Sequence, residues 1–317
     1  MILNILLLIV GFVLLIKGAD WFVDGASSTA SNFKVSKMLI GLTIVAFGTS
    51  SPEFAVSIQA LSKGSTDMLL GNVIGSNILN ILLILGVAAA IHPVKIRDNT
   101  VKKELPLCML ISTLLVVLFL DIKLASGITN QITRSDALVI LLFFTIFVYY
   151  LVSLARKKKE SNEDETPKYK LGKSLLFVII GLAGIILGSN MVVNNASSIA
   201  TILGVSERII ALTIIAFGTS LPELVTTIVS SRKNEQDLII GNIIGSNIFN
   251  ACVVLGIPVA IYGTITPASF NNIDLFMLVF SSVLLFIFAE TKRTISRLEG
   301  FLMLLGFFVY YLLVFVI

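Results

Sequence analysis

Long apolar stretches separated by short polar breaks take up most of the 317 residues. They fall at about 2–23, 38–62, 68–91, 104–120 and 136–155, and again at about 173–196, 208–231, 238–261, 272–289 and 299–316. Each is near the ~20 residues that carry a helix across the apolar core of a bilayer. None alternates apolar and polar at every second position, as the strands of a membrane barrel do. The pattern predicts an all-α integral membrane protein with ten transmembrane helices. The first stretch, Met1 to Val23, has no basic start and outruns the ~7–15 apolar residues of a signal peptide. It reads as the first helix rather than a leader.

Composition agrees. The chain is 56% hydrophobic and 13% charged, against roughly 45–50% and 25% for soluble domains. Cys108 and Cys252 lie inside apolar runs and read as small buried hydrophobes. His92 is the only histidine and sits at a helix end beside Pro93, which leaves no imidazole cluster for zinc. The net charge of +4 comes from loops and implies no nucleic-acid surface. No protein partner is implied.

The ten stretches form two groups of five that repeat at an offset of 170 residues. Ile40 to Asn80 aligns without a gap to Ile210 to Asn250, with about half the positions identical. Gly11, Gly18, Ser27 and Ser28 also match Gly181, Gly188, Ser197 and Ser198. The expected organisation is a first five-helix repeat over 1–155, a short charged linker over 156–172, and a second repeat over 173–317. An odd number of helices per repeat makes the second copy enter the membrane from the opposite side, so the repeats are inverted. Placing the 156–172 linker in the cytoplasm puts most of the 23 Lys and Arg residues on that side, as the positive-inside rule asks. Both termini are then extracellular. Lys17, three residues before Asp20 on the same helix face, is placed either to snorkel or to pair with that acid.

The polar positions inside the apolar stretches carry the chemistry. Ala46-Phe47-Gly48-Thr49-Ser50-Ser51-Pro52-Glu53 recurs as Ala216-Phe217-Gly218-Thr219-Ser220-Leu221-Pro222-Glu223. An acid at membrane depth is costly and marks function. Thr49 and Glu53 are four apart and share a helix face. Pro52 removes the amide that would bond to the Gly48 carbonyl, and Pro222 does the same at Gly218. Distorted turns with loosened carbonyls are expected at both. The following segments read Gly71-Asn72-Val73-Ile74-Gly75-Ser76-Asn77-Ile78-Leu79-Asn80 and Gly241-Asn242-Ile243-Ile244-Gly245-Ser246-Asn247-Ile248-Phe249-Asn250. In each, the serine and the last asparagine are four apart. Carboxylates, hydroxyls, amide oxygens and carbonyls are hard donors that suit Ca²⁺ and Na⁺ rather than zinc, copper or iron. For Ser57, Thr43, Thr213, Asn72 and Asn242, ion binding and interhelical hydrogen bonding both remain open.

These paired motifs, twice over and in register, resemble the two α-repeats of the sodium/calcium exchanger family, within the cation/Ca²⁺ exchanger superfamily. The resemblance covers essentially the whole chain. It implies a core of helices 2, 3, 7 and 8 around the ions, with long tilted helices 1 and 6 sliding across it. It implies Ca²⁺ held by Glu53, Glu223, Thr49 and Thr219. Na⁺ sites would use these with Ala46, Ala216, Ser50, Ser220, Ser76, Ser246, Asn80 and Asn250. Asn80 and Asn250 stand where some relatives, K⁺-dependent exchangers among them, carry Asp, which implies K⁺-independent exchange. The short linker implies no cytoplasmic Ca²⁺-sensing domains.

The expected function is an antiporter of the plasma membrane exchanging Na⁺ for Ca²⁺ at a midplane site, with no cofactor and no enzymatic activity. A Ca²⁺/H⁺ exchanger of the same superfamily is the alternative. Proton exchangers there usually carry Gly-Asn-Ala-x-Glu-like segments, which resemble this chain less. A cation channel fits less well, because each half offers one acid and no uniformly polar stripe.

Overall fold

Two helices of 32 residues, one opening each half of the chain, set the scale of the molecule. At 1.5 Å per residue each is about 48 Å long, so each outruns a bilayer core and must tilt or project from it. The structure is a computed structural model that describes residues 1–120, 129–156, 166–205, 214, 216–266 and 272–316. The first half runs α1 (Ile2–Phe33), α2 (Lys37–Ile40), a π-helical turn at Gly41–Val45, α3 (Ala46–Thr49) and α4 (Ser51–Ser62). It continues through α5 (Thr66–Leu79), a π turn at Asn80–Leu85, α6 (Gly86–Ile91), β1 (Val94–Lys95), a π turn at Thr100–Glu104, α7 (Leu105–Phe119) and α8 (Arg134–Arg156). The second half runs α9 (Leu171–Ile202), α10 (Ala216–Gly218), α11 (Leu221–Arg232), α12 (Gln236–Phe249), a π turn at Asn250–Val254 and α13 (Gly256–Tyr262). It closes with α14 (Asn272–Lys292), β2 (Thr294–Ile295) and α15 (Arg297–Val316).

Among the described residues, seven helical segments are long and apolar enough to cross a membrane. An eighth is the pair Lys37–Thr49 and Ser51–Ser62, bent by 43°. The other two expected segments correspond to α7, whose apolar run begins behind Lys102, Lys103 and Glu104, and to α10 with α11. The expected start of that last segment, with Ile210 and Thr213, lies outside the described residues. So do most of the linker, 157–165, and the loop residues Lys123 and Arg208.

The chain divides into two compact units: residues 1–52 with 157–242, and residues 53–156 with 243–317. In the first unit α1 packs along α9, and glycine makes the approach possible. A Cβ on Gly18 would lie 2.7 Å from the Ile185 amide nitrogen, and one on Gly181 would lie 2.5 Å from that of Phe22. Small residues substitute here for the hydrophobic drive that lipid cannot provide between helices. Leu15, Phe22 and Ala26 of α1 form the core with Ile185 and Val192 of α9, Val229 of α11 and Leu238 of α12.

Charged groups tie the end of α1 to its neighbours. Lys233 bridges Asp20 at 2.9 Å and Asp24 at 2.8 Å. The partner of Asp20 is therefore Lys233, far away in sequence, and the expected Lys17–Asp20 pair is corrected. Lys37 bridges Glu235, which also accepts the Ser27 hydroxyl at 2.8 Å. Lys168 donates to Asp24 at 2.6 Å, and that bond raises the Lys168 pKa above its ordinary value.

In the second unit α5 and α6 are enclosed, with Leu70, Ile74, Ile78, Leu82 and Leu85 buried. α15 crosses α6 at glycines, where a Cβ on Gly300 would lie 2.9 Å from the Gly86 carbonyl. Ser112 of α7 and Ser282 of α14, 170 positions apart, share a hydrogen bond at 3.2 Å. β1 and β2 pair antiparallel, Val94 with Ile295, and a single bridge joins Ile132 to Ile265. Each of α8 and α15 starts on a capping box. The Thr133 amide and hydroxyl donate to Asp136, and those of Ser296 donate to Glu299.

Candidate functional site

Each copy of the Gly-Thr-Ser-x-Pro-Glu motif breaks its helix. In the first, α3 ends at Thr49, α4 begins at Ser51, and Ser50 between them takes φ −84°, ψ 6°. In the second, α10 ends at Gly218, α11 begins at Leu221, and Ser220 takes φ −89°, ψ 3°. The expectation of carbonyls left open by the prolines is corrected. The Gly48 carbonyl accepts Ser51 Oγ at 2.6 Å, and the Gly218 carbonyl accepts Ser189 Oγ of α9 at 3.0 Å. Hydroxyls have taken over the bond that each proline removed, as lipid-enclosed backbone requires.

Within the first unit the broken turn of one copy reaches the acid of the other. Ser50 Oγ donates to Glu223 Oε1 at 2.8 Å across 173 positions. The Thr49 hydroxyl has the Val45 carbonyl at 3.0 Å and Asn242 Oδ1 at 3.1 Å as acceptors. Thr49, Ser50, Ala46, Ser220 and Glu223 are all buried, and Thr219 is half-buried. Of Ala216 the structure describes the backbone, at the start of α10. Glu223 Oε2 and Asn242 Nδ2 are buried and make no hydrogen bond. A buried carboxylate oxygen with no donor is costly unless a proton or cation meets it.

The second unit holds the other acid and the asparagines. Glu53 is fully buried, and its backbone carbonyl accepts Asn72 Nδ2 at 3.0 Å. The same amide lies 2.9 Å from Ser57 Oγ, so Asn72 and Ser57 form an interhelical bond. Asn77 and Asn247 exchange equivalent bonds, each side-chain amide donating to the other's backbone carbonyl, at 3.1 and 3.2 Å. Asn80 Nδ2 donates to Asn247 Oδ1 at 3.0 Å. Asn250 is fully buried, and neither polar atom of its side chain makes a hydrogen bond. Ser76 and Ser246 are buried beside these amides on α5 and α12. Asn80 and Asn250 each open a π-helical turn, a distortion that recurs at functional positions.

The arrangement supplies carboxylate, hydroxyl and amide oxygens with little competing nitrogen or sulfur. Among the described residues no group of three or more His, Cys, Asp or Glu side chains could hold a metal ion. Any cation bound in these motifs therefore draws on hydroxyl, amide and backbone oxygens as well as acids. Two further acids, Glu104 buried and Asp274 half-buried, escaped the sequence reading. Glu104 accepts the Tyr150 hydroxyl, and Asp274, 170 positions on, accepts that of Tyr310 at 2.6 Å. Their shared repeat position was the available signal, but at the start of an apolar stretch an acid reads as an interfacial charge.

The profile described as "Sodium/calcium exchanger protein" matches residues 3–153 and 173–316. The chain belongs to the sodium/calcium exchanger family. It is thus a multi-pass membrane antiporter of ions. It is 38% identical over 328 residues to a putative antiporter, CaxA, of Alkalimonas amylolytica, covering 99% of both chains. It is 32% identical over 348 residues to the sodium/calcium exchanger MaX1 of Methanosarcina acetivorans, covering 98% of both. Its fold is similar to solved structures of the sodium-calcium exchanger NCX_Mj. One, soaked with Na⁺ and without Ca²⁺, gives a TM-score of 0.85 at 32% identity, with 99% of this chain and 98% of that one covered.

Proposed function

We propose that this exchanger moves Ca²⁺ against Na⁺ across the plasma membrane by alternating access. The observation that carries the reading is Glu223. One of its oxygens takes the hydroxyl of Ser50, from the other copy of the motif, and the second is buried without a donor. That is the environment of a carboxylate awaiting a cation. The repeat gives Glu53 the same role. In this reading Ca²⁺ takes Glu53, Glu223, Thr49 and Thr219. Na⁺ takes these with Ser50, Ser220, Ser76, Ser246, Asn80, Asn250 and the carbonyls of Ala46 and Ala216. Because the ligand sets overlap, occupancy by the two ions is exclusive. With neither ion present, two negative charges resist enclosure, and that asymmetry favours exchange over leak.

Na⁺ coupling draws support from hydroxyls beside each acid and from amides at Asn80 and Asn250. The inverted ten-helix arrangement draws support from symmetric contacts in the second unit. Asn77 and Asn247 exchange equivalent bonds, and Ser112 bonds to Ser282. Two of the loops assigned to the cytoplasm pair through Val94 and Ile295. Two loops assigned to the outside pair through Ile132 and Ile265.

Purified protein in sealed vesicles tests the reading. A Na⁺ gradient directed outward should drive ⁴⁵Ca²⁺ uptake, with K⁺ and H⁺ gradients as parallel arms. Uptake driven by the pH gradient and indifferent to Na⁺ would establish the Ca²⁺/H⁺ alternative instead. Glu53→Gln should abolish uptake in protein that still folds, and normal uptake by that variant would remove Glu53 from the site.

A further inference from the structure

The two copies of the motif cap the carbonyl orphaned by proline from different places. In the first copy the donor is local. Ser51, one residue before Pro52, bonds to the Gly48 carbonyl at 2.6 Å. The equivalent position in the second copy is Leu221, which has no hydroxyl and packs against the core of the first unit instead. There the donor comes from α9, where Ser189 bonds to the Gly218 carbonyl at 3.0 Å. The position equivalent to Ser189 in the first half is Ala19, fully buried on α1. Serine and a residue without a hydroxyl have changed places between the halves, so each proline-deprived carbonyl has one hydroxyl donor. A missing donor would leave the carbonyl unmet in an apolar setting.

We infer that Ser189 is a positioning residue for the second ion-binding motif, doing from a neighbouring helix what Ser51 does within the first. The Gly218 carbonyl immediately precedes Thr219 and Ser220, and the direction of that peptide sets where their hydroxyls and Glu223 begin. In the first copy the cap travels with the motif. In the second, the register of α9 against residues 216–223 decides whether the carbonyl stays capped. α9 can hold that register closely because its glycines seat it against α1, with a Cβ on Gly188 only 2.5 Å from the Leu15 amide nitrogen. Packing alone does not account for Ser189, since a residue kept only for its small size would not alternate with a hydroxyl 32 positions away. The inference rests on the proposal that residues 216–223 bind the transported cation.

The test moves the hydroxyl. Ser189→Ala, Leu221→Ser and the double variant are reconstituted in Na⁺-loaded vesicles, and ⁴⁵Ca²⁺ uptake is followed against Ca²⁺ concentration. Ser189→Ala should raise KM for Ca²⁺ about tenfold. The double variant should return towards the wild-type value, because the hydroxyl introduced in place of Leu221 then caps from the position that Ser51 occupies in the first copy. A wild-type KM in Ser189→Ala, or a double variant no better than the single one, overturns the inference. Should Ser189→Ala fail to fold, recovery of folded protein in the double variant supports the cap, and no recovery refutes it. Wild-type vesicles that take up no Ca²⁺ would count against the exchange proposal alone. The thermal midpoints of the same variants would then decide the cap, with rescue supporting it and its absence refuting it.

Discussion

Removing the Ser50 hydroxyl isolates the contact that joins the two motif copies. Ser50 Oγ and Glu223 Oε1 are 2.8 Å apart and both residues are buried. Ser50→Ala therefore exposes the carboxylate to no compensating water, and the void is the size of one oxygen. A hydrogen bond to a charged acceptor contributes roughly 1.5–3 kcal/mol. At about 1.4 kcal/mol per factor of ten, Ca²⁺ binding through Glu223 should weaken by about 10- to 150-fold. The assay is the Ca²⁺ dependence of Na⁺-driven ⁴⁵Ca²⁺ uptake in vesicles, read as KM, beside a thermal melt to confirm folding. Ser50→Thr, which keeps the hydroxyl, should lose much less. A Ser50→Ala protein with unchanged KM for Ca²⁺ and unchanged Na⁺ dependence would refute the assignment of this contact to the ion site.

Four other outcomes follow from the same packing. Asn250→Leu replaces a buried amide that has no hydrogen bond by an apolar group of similar size, so the ion-free protein should melt later, by roughly 1–3 kcal/mol of added stability, while Na⁺-driven uptake falls. Gly181→Ala puts a methyl group 2.5 Å from the Phe22 amide nitrogen, and the forced separation of α1 and α9 should cost roughly 1–3 kcal/mol in a detergent thermal melt. Lys233→Ala removes bridges to Asp20 and Asp24 that are only partly shielded from solvent, so the loss should be about 1 kcal/mol and shrink at high salt. Lys168→Ala, whose side chain is 60% exposed, should barely register in the same melts.

The membrane class, the repeat and the two motifs were legible in the sequence, because these depend on local composition and on identity at a fixed offset. The helix breaks at Ser50 and Ser220 were legible for the same reason, since proline lacks an amide wherever it stands. The lengths of α1 and α9 were not. Asp20 and Asp24 interrupt the apolar stretch of α1 without ending the helix, because Lys233 from another segment meets both, and Asn190 and Asn194 do the same in α9 from exposed positions. Which donor met which acceptor was settled by tertiary packing. Asp20 took Lys233 rather than Lys17, and Gly218 took Ser189, which no spacing rule within the motif would select. Glu104 and Asp274 are likewise met by Tyr150 and Tyr310 only because those tyrosines approach from other helices. Hydropathy cannot make these distinctions, since lipid and the interior of a helical bundle are equally apolar. The sequence thus marked where polar groups lie inside the apolar segments, and the packing of distant helices determined which of their atoms are met by a hydrogen bond and which, such as Glu223 Oε2, are not.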